Sequence, residues 1–314
     1  MTAPDSSAFQ LFSSVRYDAA LRSVASNVEL KHAGWNYSRS SPFYMLDFHR
    51  DRLLRAATHW GWEAAVAAVA GDEGLQRLGE VLEQAVVNEN GGPNRCRITL
   101  SQDGKIGCDV SGATATPLAG LFPPELPAPG FMSESNSTSR DSSEDALPLL
   151  QQLRLTMGLT PYEVTVDVDK TSSSPYTHYK TTRRQMYDAA RKRAGITGPE
   201  RKEVLLVNSD SGVIMDGSIS TVYFWRNGRW VTPPVPPKYG KESGSGGLDG
   251  TTRRWALERY FLLASSHFEL RLTNIDFRKL AVEEEVKADS LQHGEECWLS
   301  NGVRGYLFGK ISLQ

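Results

Sequence analysis

The spacing of apolar residues divides the first third of the chain into a strand, two helices and a hairpin. FQLFSSVRY, residues 9–17, is rich in aromatic and β-favouring residues and predicts an early strand. Residues 49–70 have the helical spacing of Leu, Ala and Trp, and a second helix is predicted over 74–90. After the turn signal NGGPN, residues 95–110 alternate around an Asp-Gly pair, which predicts two strands joined as a hairpin.

The pattern changes in the middle of the chain. From about residue 111 to 147 the composition shifts to Ala, Pro, Gly and Ser, so we predict a mobile surface loop and a domain boundary there. Strands and helices then alternate again. The predicted division is an N-terminal α+β domain (1–130), a Ser/Pro-rich flexible linker (131–147) and a C-terminal domain (148–314). Strands are predicted in YEVTVDVDK, EVLLVNSD and STVYFWRNGRWVTPP, and helices after Lys180 and through TTRRWALERYFLLASS.

The charge balance and the cysteine content argue against several classes of protein. The 314 residues include 35 Lys plus Arg and 37 Asp plus Glu, and this balance provides no overall field for nucleic acid or an anionic membrane. The three cysteines are widely spaced and predict neither a disulfide framework nor a zinc site. No apolar run has membrane-spanning length and no secretory signal is evident, so a cytoplasmic protein is expected.

Two segments combine a helix start with groups that can bind or react. In HYKTTRRQMYDAARKR, Lys180 lies where an extended polar run is predicted to become a basic helix. It is either a solvated first-turn residue or a reactive amine. In LDGTTRRWALERYF, Gly250, Thr251 and Thr252 precede a helix. Free N–H groups and threonine hydroxyls there form either a plain N-cap or a phosphate cup.

Two charged residues add to this set. Arg52 and His49 in HRDRL share one helix face, and Arg52 is either a surface arginine or a phosphate ligand. Asp216 precedes an apolar strand, as either an Asp-Gly turn residue or a buried acid that needs a cationic partner. Walker, GxGxxG, GxSxG, HExxH and CxxC motifs are absent, so no metal is predicted. A lysine, a phosphate cup and an acid together suit pyridoxal phosphate.

The order of these fragments resembles the class IV aminotransferases, the fold-type IV pyridoxal-phosphate enzymes. The matching segments are HxxRL, a lysine followed by TTRRxxYDxAR, an acid before GSISTVYF, TPP, LxGTTR and WLSNGVRG, from about Phe9 to Ile311. By this resemblance Lys180 is the Schiff-base lysine. The resemblance also implies roles in cofactor binding: Arg52, Thr251 and Thr252 bind the phosphate, Asn301 and Gly302 close its site, and Asp216 contacts the pyridine nitrogen in place of the usual Glu.

The resemblance also implies a fold, a substrate class and an assembly. We expect an N-terminal α/β sandwich, a C-terminal barrel-like α/β domain, and a homodimer that acts on a small-molecule amine. FQLFSSVRYD, VYFWRNGRWVTPP and WLSNGVRG look most like the 4-amino-4-deoxychorismate lyases, which form 4-aminobenzoate and pyruvate. A transaminase for D-amino acids, branched-chain amino acids or (R)-amines, or a non-catalytic cofactor-binding homologue, is the alternative. Arg97, on one face of the predicted strand with Arg95 and Thr99, is the expected ligand of a substrate carboxylate.

Overall fold

The fold is described by a computed structural model that covers residues 9–86, 92–132, 160–241, 243–258 and 279–313. Most of the predicted linker, and the C-terminal part of the helix predicted over 251–266, lie outside these residues. The α-helices are α1 (Trp35–Ser38), α2 (Leu46–His59), α3 (Glu63–Val69), α4 (Gly71–Val86), α5 (Leu118–Leu121), α6 (Pro175–His178), α7 (Gln185–Arg193) and α8 (Thr251–Glu258). Short 3-10 helices span Ala19–Ser26, Val28–Ala33 and Ala288–Ser290.

A three-stranded antiparallel sheet forms the first part of the chain. Its strands are β1 (Leu11–Tyr17), β2 (Asn94–Leu100) and β3 (Ile106–Gly112), in that order. The predicted strand and hairpin are therefore confirmed. The single helical run predicted over 49–70 is divided in two, because the chain turns at Gly61 with a φ of 63°. Helices α2 to α4 cover the sheet, and Leu78 and Leu82 pack in one core with Ile98 of β2.

Eight strands form a second, curled sheet of mixed direction. Their spatial order is β6-β5-β4-β11-β10-β7-β8-β9. Strand β4 runs parallel to both β5 and β11, whereas β10 runs antiparallel to its neighbours β7 and β11. The strands are β4 (Tyr162–Thr171), β5 (Lys202–Asn208), β6 (Ile214–Gly217), β7 (Thr221–Arg226), β8 (Arg229–Thr232), β9 (Val282–Glu283), β10 (Glu296–Asn301) and β11 (Gly305–Ile311).

The prediction of a mobile loop from about residue 111 is wrong for the described part of that segment, 113–132. Leu121 and Phe122 are fully buried, and the Tyr44 hydroxyl donates a hydrogen bond to the Leu121 carbonyl oxygen. The same core contains Trp255 and Trp298 from the second half of the chain. A few apolar side chains within a Pro-rich stretch were sufficient to anchor it, although its average composition is that of a loop.

None of the described helices is both long and apolar enough to cross a bilayer.

Candidate active site

One cavity lies where the two sheets meet. It is lined by residues of β1 and β2, by the segment around Lys180, by the β6–β7 turn, by the start of α8 and by the turn between β10 and β11. The cavity brings together Arg52, Lys180, Asp216, Thr251, Thr252, Asn301 and Gly302. Arg97 does not line it. Residues that are far apart in the sequence therefore line one cavity.

Lys180 is held by the first sheet rather than by the helix that follows it. Helix α7 begins only at Gln185, whereas the Lys180 carbonyl oxygen accepts a hydrogen bond from the Phe12 N–H at 3.0 Å. Leu11 and Thr181 form an antiparallel bridge at the same place. The predicted helix start is therefore five residues too early. The pairing with β1 extends the chain and fixes the backbone of the lysine between the two sheets.

The Lys180 amine lies in surroundings that favour its neutral form. Its Nζ is 5.2 Å from the centroid of the Phe12 ring. Burial lowers the pKa of Lys180 well below its usual range, and the positive charges of Arg52 and Arg184 lower it further, whereas Asp216 raises it. A neutral amine at physiological pH has a free lone pair, so Lys180 can act as a nucleophile or a base.

Asp216 lies on β6 with only 6% of its surface exposed. Burial raises the pKa of the Asp216 carboxyl well above its ordinary value. The Gly217 N–H, 3.0 Å from Oδ1, lowers the pKa, whereas the neighbouring Glu203 raises it. The hydrogen bonds and charges of the protein alone therefore do not offset the cost of burying the ionised Asp216 carboxylate. A cation placed beside Asp216 would stabilise its ionised form.

Glu203 organises the turn that follows Asp216, and sequence reasoning missed it. Its carboxylate accepts hydrogen bonds from the Ser218 N–H at 2.9 Å, from the Ser218 hydroxyl at 2.5 Å and from the Ser220 hydroxyl at 2.5 Å. The Val204 and Ile219 N–H groups donate to it as well, at 2.9 and 3.3 Å. The available signal was a carboxylate at the start of the apolar run VLLV, because a charge there needs buried partners.

Replacing Glu203 with Ala is expected to lower the free energy of unfolding by about 3 kcal/mol, because several buried donors lose their acceptor together. Urea denaturation measures the change. Glu163→Ala is the matched control, since its side chain is 46% exposed and pairs with Lys202 at 3.3 Å. Loss of such a surface pair costs about 0.5 kcal/mol. Equal effects of the two substitutions would show that the Glu203 network contributes no special stability.

Arg52 is fixed by two polar side chains beneath the cavity. Its Nη2 donates to the Ser13 hydroxyl at 2.5 Å, and that hydroxyl lies 2.7 Å from His49 Nδ1. The Ser13 hydroxyl thus accepts from the guanidinium and shares a second hydrogen bond with the His49 ring. Burial, followed by the charge of Arg52, lowers the pKa of His49 well below its usual value and keeps the ring neutral. Ser13 carried no recognisable signal in the sequence.

Two buried donors at the cavity have no hydrogen-bond partner among the described residues. They are Nε of Arg52 and the hydroxyl oxygen of Thr251. Burial lowers the pKa of Arg52 to about 10, which leaves it cationic at neutral pH. The neighbouring Thr252 hydroxyl is 2.8 Å from that of Ser300. A buried guanidinium beside the first turn of α8 is an arrangement that favours an anion.

The other predicted site residues shape the cavity wall. Asn301 Oδ1 accepts hydrogen bonds from the Val303 and Arg304 N–H groups at 3.0 and 2.9 Å, so this side chain holds the turn between β10 and β11. A Cβ on Gly302 would lie 2.6 Å from Cε1 of His49. A glycine is therefore required where this turn approaches α2.

The structure places Arg95, and not Arg97, at the cavity. The Arg97 guanidinium lies 3.8 Å from an Asp109 carboxylate oxygen and is above the Phe12 ring, 5.1 Å from its centroid. Arg95, two residues earlier on the same face of β2, lines the cavity. A role for Arg97 in carboxylate binding stays a prediction. Alternation identified the correct face of the strand but could not show where along it the cavity begins.

The sequence profile described as "Amino-transferase class IV" matches residues 34–310. The chain belongs to the class IV aminotransferase family. Membership of this family and the curled mixed sheet confirm the predicted fold class, which is that of fold-type IV aminotransferases.

Individual relatives within the family carry names for different reactions. A protein of Schizosaccharomyces pombe, provisionally named an aminodeoxychorismate lyase, is 29% identical over 161 residues, which are 51% of this chain and 59% of that protein. The matched region thus spans little more than half the length of that relative.

Solved structures of similar fold carry both aminotransferase and 4-amino-4-deoxychorismate lyase names. One, from Mesorhizobium loti and provisionally named an amino-acid aminotransferase, has a TM-score of 0.56 at 20% identity, covering 96% of this chain and 99% of that one. A hypothetical aminotransferase from Mycobacterium tuberculosis, in its α-ketoglutarate and PMP bound form, has a TM-score of 0.51 at 16% identity, with coverages of 96% and 80%. These likenesses establish a shared fold.

Proposed function

We propose that this chain is a pyridoxal-phosphate-dependent enzyme that converts 4-amino-4-deoxychorismate to 4-aminobenzoate and pyruvate. One observation carries the proposal. A half-buried Lys180 with a lowered pKa shares a cavity with Asp216 and Arg52 in a chain of the class IV family. This cofactor requires three partners: an amine for its aldehyde, an acid for its pyridine nitrogen and a cation for its phosphate.

The residues fit the cofactor group by group. Arg52 and Thr251 would hold the phosphate, because each has a buried donor without a partner among the described residues. Asp216 would hold the protonated pyridine nitrogen, whose positive charge would stabilise the ionised carboxylate. Lys180 would bind the aldehyde carbon. When bound, pyridoxal phosphate withdraws electrons from the amine-bearing carbon of the substrate.

The protein supplies a base and a fixed charge to this chemistry. Lys180 would remove the proton from the amine-bearing carbon of the substrate, since its lowered pKa favours the neutral amine. Asp216 would keep the ring nitrogen protonated, and Glu203 would hold the adjacent 217–221 turn in place. In the lyase reaction the neighbouring enolpyruvyl ether bond then breaks, and the substrate ring becomes aromatic.

The lyase is favoured over an aminotransferase by the similarity to the S. pombe protein and its provisional name. The two reactions differ in what they consume. A lyase returns its cofactor as the aldehyde after each turnover, whereas an aminotransferase leaves it in the amine form and requires an amino acceptor.

Incubation of the purified protein with pyridoxal phosphate and 4-amino-4-deoxychorismate tests the proposal. We expect pyruvate and 4-aminobenzoate in equal amounts, without any added keto acid. Absence of pyruvate, together with accumulation of the amine form of the cofactor when an amino acid or a chiral amine is supplied, would replace the lyase with an aminotransferase. No turnover with any of these amines, although the cofactor binds, would indicate a non-catalytic homologue.

A further inference from the structure

We propose that Arg95, Arg184 and Arg304 form an anion subsite in this cavity that selects a substrate with two carboxylates. The inference rests on the proposed function, because it concerns the substrate of the same site. It assigns recognition to these arginines rather than to Arg97.

The three arginines come from three separate segments. Arg95 is on β2, Arg184 immediately precedes α7, and Arg304 is in the turn between β10 and β11. All of them line the cavity that contains Lys180. Their convergence depends on the tertiary fold, so it is not a consequence of local sequence such as a basic helix face.

The turn that carries Arg304 is attached firmly to the first sheet. The Arg16 N–H donates to the Gly302 carbonyl oxygen at 3.0 Å, and Nη1 of the same residue donates to the Val303 carbonyl oxygen at 3.2 Å. Arg16 is fully buried and lies opposite Arg95 in the register of β1 and β2. The backbone that positions Arg304 is therefore bound to the strand beside Arg95, and the two cations approach each other on a rigid frame.

Two of the three positive charges have no acid beside them. Arg184 donates to Asp188 Oδ1 at 2.9 Å and to the Ser218 carbonyl oxygen at 3.2 Å. By contrast, within the part of the chain that the structure describes, no carboxylate lies within 4.0 Å of the guanidinium of Arg95 or of Arg304. Nη1 of Arg304 donates to the Tyr162 hydroxyl at 3.4 Å.

Like charges surround Arg95. Arg95 is an exposed residue. Its partial desolvation, followed by the positive charges of Arg97, Arg184 and Arg304, lowers its pKa, whereas the Asp109 carboxylate raises it. Cations held together without anions repel one another, and this repulsion is relieved when an anionic ligand enters. The cluster therefore favours binding of an anion over an empty site.

The balance of charge in the cavity indicates how many carboxylates the ligand carries. Among the described lining residues, Asp216 is the one acid, and it faces the proposed cofactor nitrogen. Arg52 would be neutralised by the cofactor phosphate. Arg95 and Arg304 then remain as two cations with no carboxylate of the described residues within 4.0 Å. A substrate with two carboxylates balances both, since each guanidinium can donate two parallel hydrogen bonds to a carboxylate.

An apolar amine would leave both guanidinium groups unpaired. Desolvating a cation without a partner is costly, so the same cluster discriminates against aliphatic amines and simple amino acids. The inferred ligand class is thus a small ring or chain that carries an amine and two carboxylates.

Binding of an unreactive probe tests the inference separately from turnover. Chorismate carries two carboxylates and no amine, whereas shikimate carries one carboxylate on a similar ring. Isothermal titration calorimetry on the cofactor-loaded protein would measure both dissociation constants for the parent, Arg95→Gln, Arg304→Gln and Arg304→Lys. Arg39→Gln is the control, because it removes one positive charge at an exposed position away from the cavity lining.

We expect Arg95→Gln and Arg304→Gln each to weaken chorismate binding by about tenfold or more, as loss of a charged hydrogen-bond partner does. Shikimate binding should change by less than about threefold in at least one of the two variants, because one carboxylate engages only part of the cluster. Arg304→Lys, which retains the charge, should bind chorismate more tightly than Arg304→Gln. Arg39→Gln should resemble the parent.

Chorismate binding that is unchanged in both Gln variants, or shikimate binding that weakens as much as chorismate binding in both, would overturn the inference. This result is independent of the proposed reaction. If chorismate binding depends on the arginines but aminodeoxychorismate is not converted, the proposed function fails and the dicarboxylate subsite stands. If conversion proceeds in the parent and neither Gln variant weakens chorismate binding, the subsite fails and the proposed function stands.

Discussion

Replacement of Lys180 by Ala is expected to lower turnover by about 10³-fold or more, because the base that removes the substrate proton is lost together with the covalent anchor of the cofactor. The physical basis is the environment of the amine. Burial and the charges of Arg52 and Arg184 lower its pKa well below the usual range, which increases the share of the neutral, nucleophilic amine. Steady-state assay of pyruvate release would measure the change.

Chemical mapping identifies the lysine independently of activity. Borohydride reduction of the cofactor-loaded protein makes the attachment permanent, and peptide mapping should then find the label on Lys180. Lys170→Ala is the matched control, since Lys170 is an exposed lysine on β4 and does not line the cavity. It should retain parental labelling and turnover. A label on a different lysine would disprove the assignment.

Replacement of Asp216 by Asn is expected to reduce turnover by about 10²-fold or more, as loss of one preorganised electrostatic partner does in other active sites. Asn keeps the shape of the side chain and removes the charge that would hold the ring nitrogen protonated. The dissociation constant of the cofactor should change much less than turnover, because Arg52 and Thr251 would still bind the phosphate. Absorbance titration and steady-state kinetics would measure the two quantities.

Asp216→Glu separates charge from size in the same position. Glutamate is the usual family residue there, and it restores the acid with one additional methylene. We expect Asp216→Glu to retain far more turnover than Asp216→Asn. Parental turnover in the Asn variant would exclude a role for this carboxylate at the ring nitrogen.

The strands of the first sheet could be predicted from the pattern of apolar residues alone. The alternation in residues 95–110 and the aromatic run in 9–17 predicted β1, β2 and β3 correctly, because period-two burial is a local property of a strand. The helix start near Lys180 was predicted five residues too early. Pairing with Leu11 holds Thr181 in an extended conformation. Because Leu11 is 170 positions earlier in the chain, the sequence around Lys180 gives no sign of this pairing.

The segment from residue 111 illustrates a second limit. Average composition predicted a mobile loop, yet Leu121 and Phe122 are buried in the core beside Trp255. The stability of a segment depends on whether its few apolar side chains find a cavity in the rest of the fold. That cavity is built by distant residues, so composition could not reveal it.

The sequence by itself determined the family and the set of chemical groups: Lys180, Arg52, Asp216 and the Thr251–Thr252 pair stand in an order that resembles the class IV enzymes. Such residues are identifiable because each stands in a short motif that can be recognised without coordinates.

The tertiary structure decided which further side chains serve the site. Ser13 beneath Arg52 and Glu203 beneath the 217–221 turn belong to no motif, and only the folded chain brings them to their partners. The structure also placed Arg95, rather than Arg97, in the cavity beside Arg304. The physical reason is that hydrogen bonds and charge pairs act over a few ångströms in space, whereas a sequence records only separation along the chain.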